Sequence, residues 1–172
     1  RANVPMGESP DYEQPLAASF AARARQRGVS ALEALYDHLA EGDGTRLVYF
    51  PIFNYNDGTL GAVREMLQHP QALLGLSDAG AHVGTICDAS MSTFVLTHWV
   101  QGRAADGLAL EQAVHLLCAR NARHLGLQDR GVVAPGLRAD LNLIDPDRLG
   151  VGVPRIVHDL PATQVARYPV AF

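Results

Sequence analysis

The chain has 172 residues, 48% of them hydrophobic and 19% charged, with a net charge of −4 at pH 7 and a pI near 5.9. That length is typical of one ordinary domain, and the composition belongs to a globular protein rather than a disordered one. Arginines are scattered rather than clustered and no apolar run approaches the roughly 18 residues of a membrane helix, so neither a nucleic acid nor a bilayer is an expected partner.

Residues 1–15 carry Pro5, Gly7, Pro10 and Pro15 without an apolar period and read as a loop. Residues 16–27 are rich in Ala and Arg and stop at Gly28, a helix with a glycine just past its end. Ser30 and Glu33 then form a capping box ahead of Leu32, Leu35, Tyr36 and Leu39, the stripe of an amphipathic helix closed by Gly42 and Gly44. Residues 46–52 (RLVYFPI) are short, apolar and β-rich, a buried strand. Asn54, Asn56 and Asp57 follow as turn and cap residues. Leu60, Val63, Met66 and Leu67 mark a helix that ends at His69-Pro70. Ala72–Leu76 is the next apolar strand. Strand, helix, strand in this order predicts a βαβ unit with a parallel pair, hence an α/β fold.

Beyond a loop at 77–88, Asp88 or Ser90 is placed to cap a helix bearing Met91, Phe94, Val95 and Trp99, with Trp99 in the core. Leu110, Val114, Leu117 and Leu125 mark a long helix ending near Gly126, on which Cys118 is expected in the core and His115 and His124 in surface or packing roles. The texture changes near residue 128. Residues 128–147 hold a turn, a Pro-Gly corner with Gly136 suited to positive φ, and an alternating strand with Ala139, Leu141 and Leu143 on one face. Asp140 there is read as a structural hydrogen-bonding residue. Residues 150–172 show no clear period. The expected domains are therefore 1–128 and 129–172.

The segment LLGLSDAGAH, residues 73–82, carries the chemistry. An apolar run stops at a small polar corner, and Asp78 stands on it. A carboxylate just past the carboxyl end of a buried strand is where an α/β barrel places its reacting groups. Such a carboxylate can be a metal ligand, a general base, or both. Its small neighbours Ser77, Ala79, Gly80 and Ala81 let a substrate approach closely, and His82 could lie beside it or stabilise a developing oxyanion. The competing reading is local: Asp78 as a helix cap or turn residue.

LSDAGAH, followed by a long helix and then RGVVAPGLRADLNLID, resembles the C-terminal portion of the amidohydrolase superfamily. PIFNYNDGTLGAVREMLQHPQALLGLSDAGAH is similar to its N-acyl-D-amino-acid deacylase (D-aminoacylase) branch. The resemblance covers roughly residues 11–160. It implies the C-terminal part of a (β/α)8 TIM barrel, strands seven (46–52) and eight (72–76) with their helices, and at 129–172 an incomplete return segment to a small β-sandwich.

By the same resemblance Asp78 is the general base of a metal-dependent amidohydrolase and sometimes a metal ligand. Asn54, Tyr55 and His82 are candidate substrate-binding residues. The implied cofactor is zinc, one or two divalent ions, with most ligands outside this chain. The seven histidines include no His-x-His pair, and a zinc site needs three or four protein ligands. The implied partners are a small-molecule N-acyl amino acid or related amide, and a missing barrel segment or homo-oligomer. The first residue is Arg1 with no signal-peptide pattern after it, and the expectation is a chain that begins inside a larger polypeptide and is inactive alone. Cys87 and Cys118 are too few for a disulfide framework, which points to a cytoplasmic protein. Two alternatives stand beside this reading: a non-catalytic truncated interaction module, and a dihydroorotase or cyclic-amidase-like branch of the same superfamily.

Overall fold

The computed structural model describes residues 3–7, 11–55, 57–75, 78, 89–103, 105–157 and 166–168. Its contacts divide the chain into two units, Arg1–Met66 and Leu67–Phe172.

The first unit is a helix pair beside a short antiparallel ribbon. One 3-10 turn, Leu16–Ala18, leads to Ser19, whose hydroxyl accepts from the Ala22 amide at 3.3 Å and starts α1 (Phe20–Arg27). The expected helix over 16–27 is thus broken at its own cap residue. Gly28, at φ 71°, ends α1 as the sequence predicts. The Ser30 hydroxyl accepts from the Glu33 amide at 3.1 Å and opens α2 (Ala31–Ala40). Such a cap is worth about 1 kcal/mol. Phe20, Ala24 and Ala34 form the buried cluster, with Val29, Leu35 and Val48 packed on it. Alanines on both helices permit close approach, and burying Phe20 contributes about 2 kcal/mol. The predicted stripe of α2 is only partly used: Leu32, Tyr36 and Leu39 are exposed, because α2 turns its Ala34 face toward α1.

Within residues 46–52, only Val48–Tyr49 (β2) is a strand. It pairs antiparallel with Val4–Pro5 (β1), Val4 opposite Tyr49, and Met6 extends the ladder by donating to the Leu47 carbonyl at 3.0 Å. The expected parallel pairing of 46–52 with 72–76 is absent among the described residues. Residues 72–75 form no strand, and Leu76 lies outside the described residues. No neighbouring ladder meets residues 72–75 among the described residues, and the Leu74 carbonyl accepts from the side-chain amide of Asn121 at 2.8 Å. The predicted helix after β2 forms as α3 (Gly61–Gln68), with the unit boundary in its last turn.

The second unit is helical. Met91–Phe94 (α4) continues as a π-helical stretch, Val95–Gln101, that buries Val95 and Trp99, the latter 2% exposed. The expected cap at Ser90 makes no side-chain hydrogen bond, and Asp88 lies outside the described residues. Leu110–His115 (α5), a π stretch at Leu116–Arg120 and Asn121–His124 (α6) together make the predicted long helix. Its buried residues are Ala113, Leu116 and Ala122, whereas the predicted stripe members Leu110, Val114 and Leu125 are exposed. The buried face is carried by alanines that an apolar stripe of large residues passes over, and it is already offset in α5, ahead of the π stretch. Cys118, expected in the core, is exposed, two positions past the buried Leu116. His115 and His124 are exposed as expected.

The alternating strand expected around Ala139, Leu141 and Leu143 is also corrected. No strand forms there among the described residues, and Leu143 is fully exposed. Alternation marks a strand only where a neighbouring ladder receives it. Further on, Arg155–Val157 (β3) and Ala166–Tyr168 (β4) pair antiparallel, Arg155 opposite Tyr168. No helix among the described residues is long and apolar enough to cross a membrane.

Candidate active site

Asp78 is exposed. The segment that carries it is anchored from its N-terminal side. The Ala72 amide donates to the His69 carbonyl at 3.1 Å, a turn that continues from the end of α3. Arg120 Nη2 donates to the His69 carbonyl at 3.2 Å and also to that of Pro70. Asn121 Nδ2 then takes the Leu74 carbonyl. His69 itself uses Nδ1 to accept from the Gln71 amide at 3.2 Å, so its imidazole serves the turn. His82 and Cys87 lie outside the described residues, as do the small neighbours of Asp78.

Asn54 and Tyr55 belong to the loop after β2 in the first unit. Asn54 is exposed and is the only non-glycine among the described residues at positive φ, 58°. Asn reaches this left-handed region more readily than most residues because its short side chain can hydrogen-bond locally. Tyr55 is half-buried and donates its hydroxyl to the Gln14 carbonyl at 3.3 Å. Tyr49 stands edge-on between two rings, 5.4 Å from Tyr12 and 6.2 Å from Tyr55. Burial, then the Glu13, Asp11 and Asp57 carboxylates, push the Tyr55 phenol above its ordinary value. The Tyr49 phenol is pushed up to about 12, first by burial and then by its tyrosine neighbours and Glu13. Glu13 adds a further tie by accepting from the Leu60 amide at 2.8 Å.

The segment from Gly131 to Asp145 folds back on itself. The Arg138 amide donates to the Asp129 carbonyl at 2.7 Å, and Arg138 and Arg130 both reach Asp140, at 2.9 and 3.4 Å. Asp140 is thus the structural hydrogen-bonding residue the sequence predicts. Arg130 also grips Asp129 and holds its carboxyl below the usual carboxylate range. Gly131, at φ 95°, lies so close to the long helix that an added Cβ would meet the Ala122 Cβ at 2.7 Å.

A groove of about 270 Å³ opens between α1 and α2, lined by Arg23, Arg27, Asp37, His38, Glu41 and Arg46 among others. Arg27 and Arg46 are already paired with Asp37 and Glu41, and the groove contains none of the predicted site residues.

Among the described residues no group of three or more His, Cys, Asp or Glu side chains could hold a metal ion. Asp78 offers a single exposed carboxylate, and a zinc site needs three or four protein ligands. The described residues therefore do not fit a complete metal centre.

Arg120 and Asn121 were not singled out from the sequence, where their helix is marked by its leucines and Val114 with Cys118 and the two histidines. A signal was present: Asn is a poor helix former and usually keeps its side chain for another bond.

Comparison with family models defines residues 6–168 as a hydrolase of the amidohydrolase superfamily. The chain belongs to the Amidohydrolase family. Membership implies a TIM-barrel-type fold, and members of the superfamily typically bind divalent metals. No curated protein and no solved structure matches the chain.

Proposed function

We propose that this chain is the C-terminal part of a metal-dependent amidohydrolase of the N-acyl-D-amino-acid deacylase type, with Asp78 as its general base. The observation that carries the reading is family membership across residues 6–168, a span that includes Asp78 on its SDAGAH corner. Residues 1–128 would belong to the barrel and 129–172 to the return segment toward a β-sandwich. In the proposed reaction a water oxygen bonds to the amide carbonyl carbon while an Asp78 oxygen accepts the water's proton. Asp78 then gives that proton to the nitrogen as the C–N bond breaks, leaving an amine and a carboxylic acid that ionises by losing its proton to the amine or to solvent. Asn54, Tyr55 and His82 are the proposed substrate contacts. Zinc is the proposed metal, its ligands supplied by residues other than those described. A cytoplasmic setting, and either a further barrel segment or a second copy as partner, complete the proposal.

Asp78→Asn keeps the shape of the side chain and removes the base. In the enzyme that carries this chain it is expected to lower turnover of N-acetyl-D-amino acids by about 10²–10⁴-fold while metal content and folding hold. Near-normal turnover would refute the assignment. The exposed row Leu32, Tyr36 and Leu39 on α2 favours a second reading, a non-catalytic interaction module. Detectable turnover that disappears in Asp78→Asn would rule it out.

A further inference from the structure

We propose that Asn121, with Arg120, is a positioning residue for the Asp78 carboxylate. The inference rests on the reading of Asp78 as the base. Its structural content stands on three hydrogen bonds. Two consecutive residues of one helix reach, in order, the His69 and Pro70 carbonyls and the Leu74 carbonyl, across 47 to 51 positions of sequence. The last of these acceptors stands four residues before Asp78.

The Leu74 carbonyl is half-buried, and such an oxygen needs a donor. Among the described residues no strand supplies one, and the Asn121 amide does. Asn121 is fit for this because its own backbone is held: it opens α6, and the Leu125 amide donates to the Asn121 carbonyl at 3.0 Å. The next residue, Ala122, is buried and meets the Gly131 turn. Residues 69–74, which precede Asp78 in sequence, are therefore tied to the helix, and that helix packs on the segment that follows it. A reacting group misplaced by about 1 Å loses about 10² in rate, so a side chain that fixes such a segment acts on turnover without touching substrate.

NMR of the isotope-labelled full chain tests the coupling without any need for activity. In the unmodified chain the Asn121 side-chain amide should exchange with solvent at least tenfold more slowly than that of the exposed Asn54. Two variants remove the donor: Asn121→Asp, which keeps the shape but adds a negative charge, and Asn121→Leu, which adds none. Each should shift the Leu74 carbonyl carbon and the Asp78 resonances while those of α1 and α2 hold. Equal exchange of the two amides, or unmoved Asp78 resonances in both variants, overturns the proposal. In the enzyme that carries the chain, Asn121→Leu should lower kcat at least tenfold with KM within twofold, and should add nothing to Asp78→Asn. Multiplying losses in the double variant would overturn it as well. If instead Asp78→Asn turns over normally while Asn121 still moves the Asp78 resonances, the base assignment fails and the structural coupling stands.

Discussion

The loop after β2 and the segment from Gly131 to Asp145 are both irregular, yet different forces order them. In the first, the ties are neutral or singly charged and come from far along the chain: Tyr55 to Gln14, Leu60 to Glu13, and the Tyr12, Tyr49 and Tyr55 rings edge to edge. In the second, the side-chain polar ties are exposed ion pairs among near neighbours, Asp129, Arg130, Arg138 and Asp140. Exposed pairs are screened by water and salt and contribute little. The comparison teaches that the abundant charges of the second segment are not its anchor. The anchor is the close approach of Gly131 to the helix.

The largest stability effect should therefore come from that glycine. Gly131→Ala adds a Cβ against Ala122 and an L side chain at φ 95°, a combined loss of about 3 kcal/mol in urea denaturation. Gly136 is the control: it has φ 81° with open space around it, so Gly136→Ala carries the conformational cost alone, about 1–2 kcal/mol. Equal losses at the two positions would show that the helix contact is not tight.

A smaller effect probes the first region at alkaline pH. The Tyr49 phenol lies at about 12 in the folded chain against an ordinary value of 10.0. A raised value means that the folded state resists ionisation more than the unfolded state does. Stability from this group is complete below pH 10 and is lost as pH rises through 12. Tyrosinate absorbance, compared with that of Tyr49→Phe, should show this phenol ionising only as the unit opens. Ionisation near the ordinary value with the fold intact would mean that the ring cluster does not bury it. The smallest effect belongs to Asp140→Asn, which should move the urea midpoint slightly in dilute buffer and not at all in about 1 M salt, where screening acts within about 3 Å. A large, salt-resistant loss would reverse the comparison and make the charges the anchor.

Local features were legible in the sequence because they are set by near neighbours. Ser30 with Glu33, the glycine ending at Gly28, the positive φ of Gly136 and the buried Trp99 all appear as read. Features that depend on a distant partner were not legible. The apolar run at 72–76 and the alternation at 139–143 describe what a strand would be made of, not whether a ladder meets it. The stripe on the long helix failed because the buried face is lined by Ala113 and Ala122, small residues that do not stand out as a stripe, with Leu116 between them. Within the candidate site, the sequence points to Asp78 by its corner of small residues. The bonds of Arg120 and Asn121 to the preceding residues were not legible, because each reaches a carbonyl some 50 positions away.

The left-handed backbone at Asn54 narrows what its position can accept over generations. Glycine and aspartate enter that conformation readily, whereas valine, isoleucine and threonine are all but barred from it. Retention of asparagine there would thus reflect the shape of the turn before any contact with a ligand, and a survey of variants would find the amide exchanged for glycine sooner than for a larger polar group.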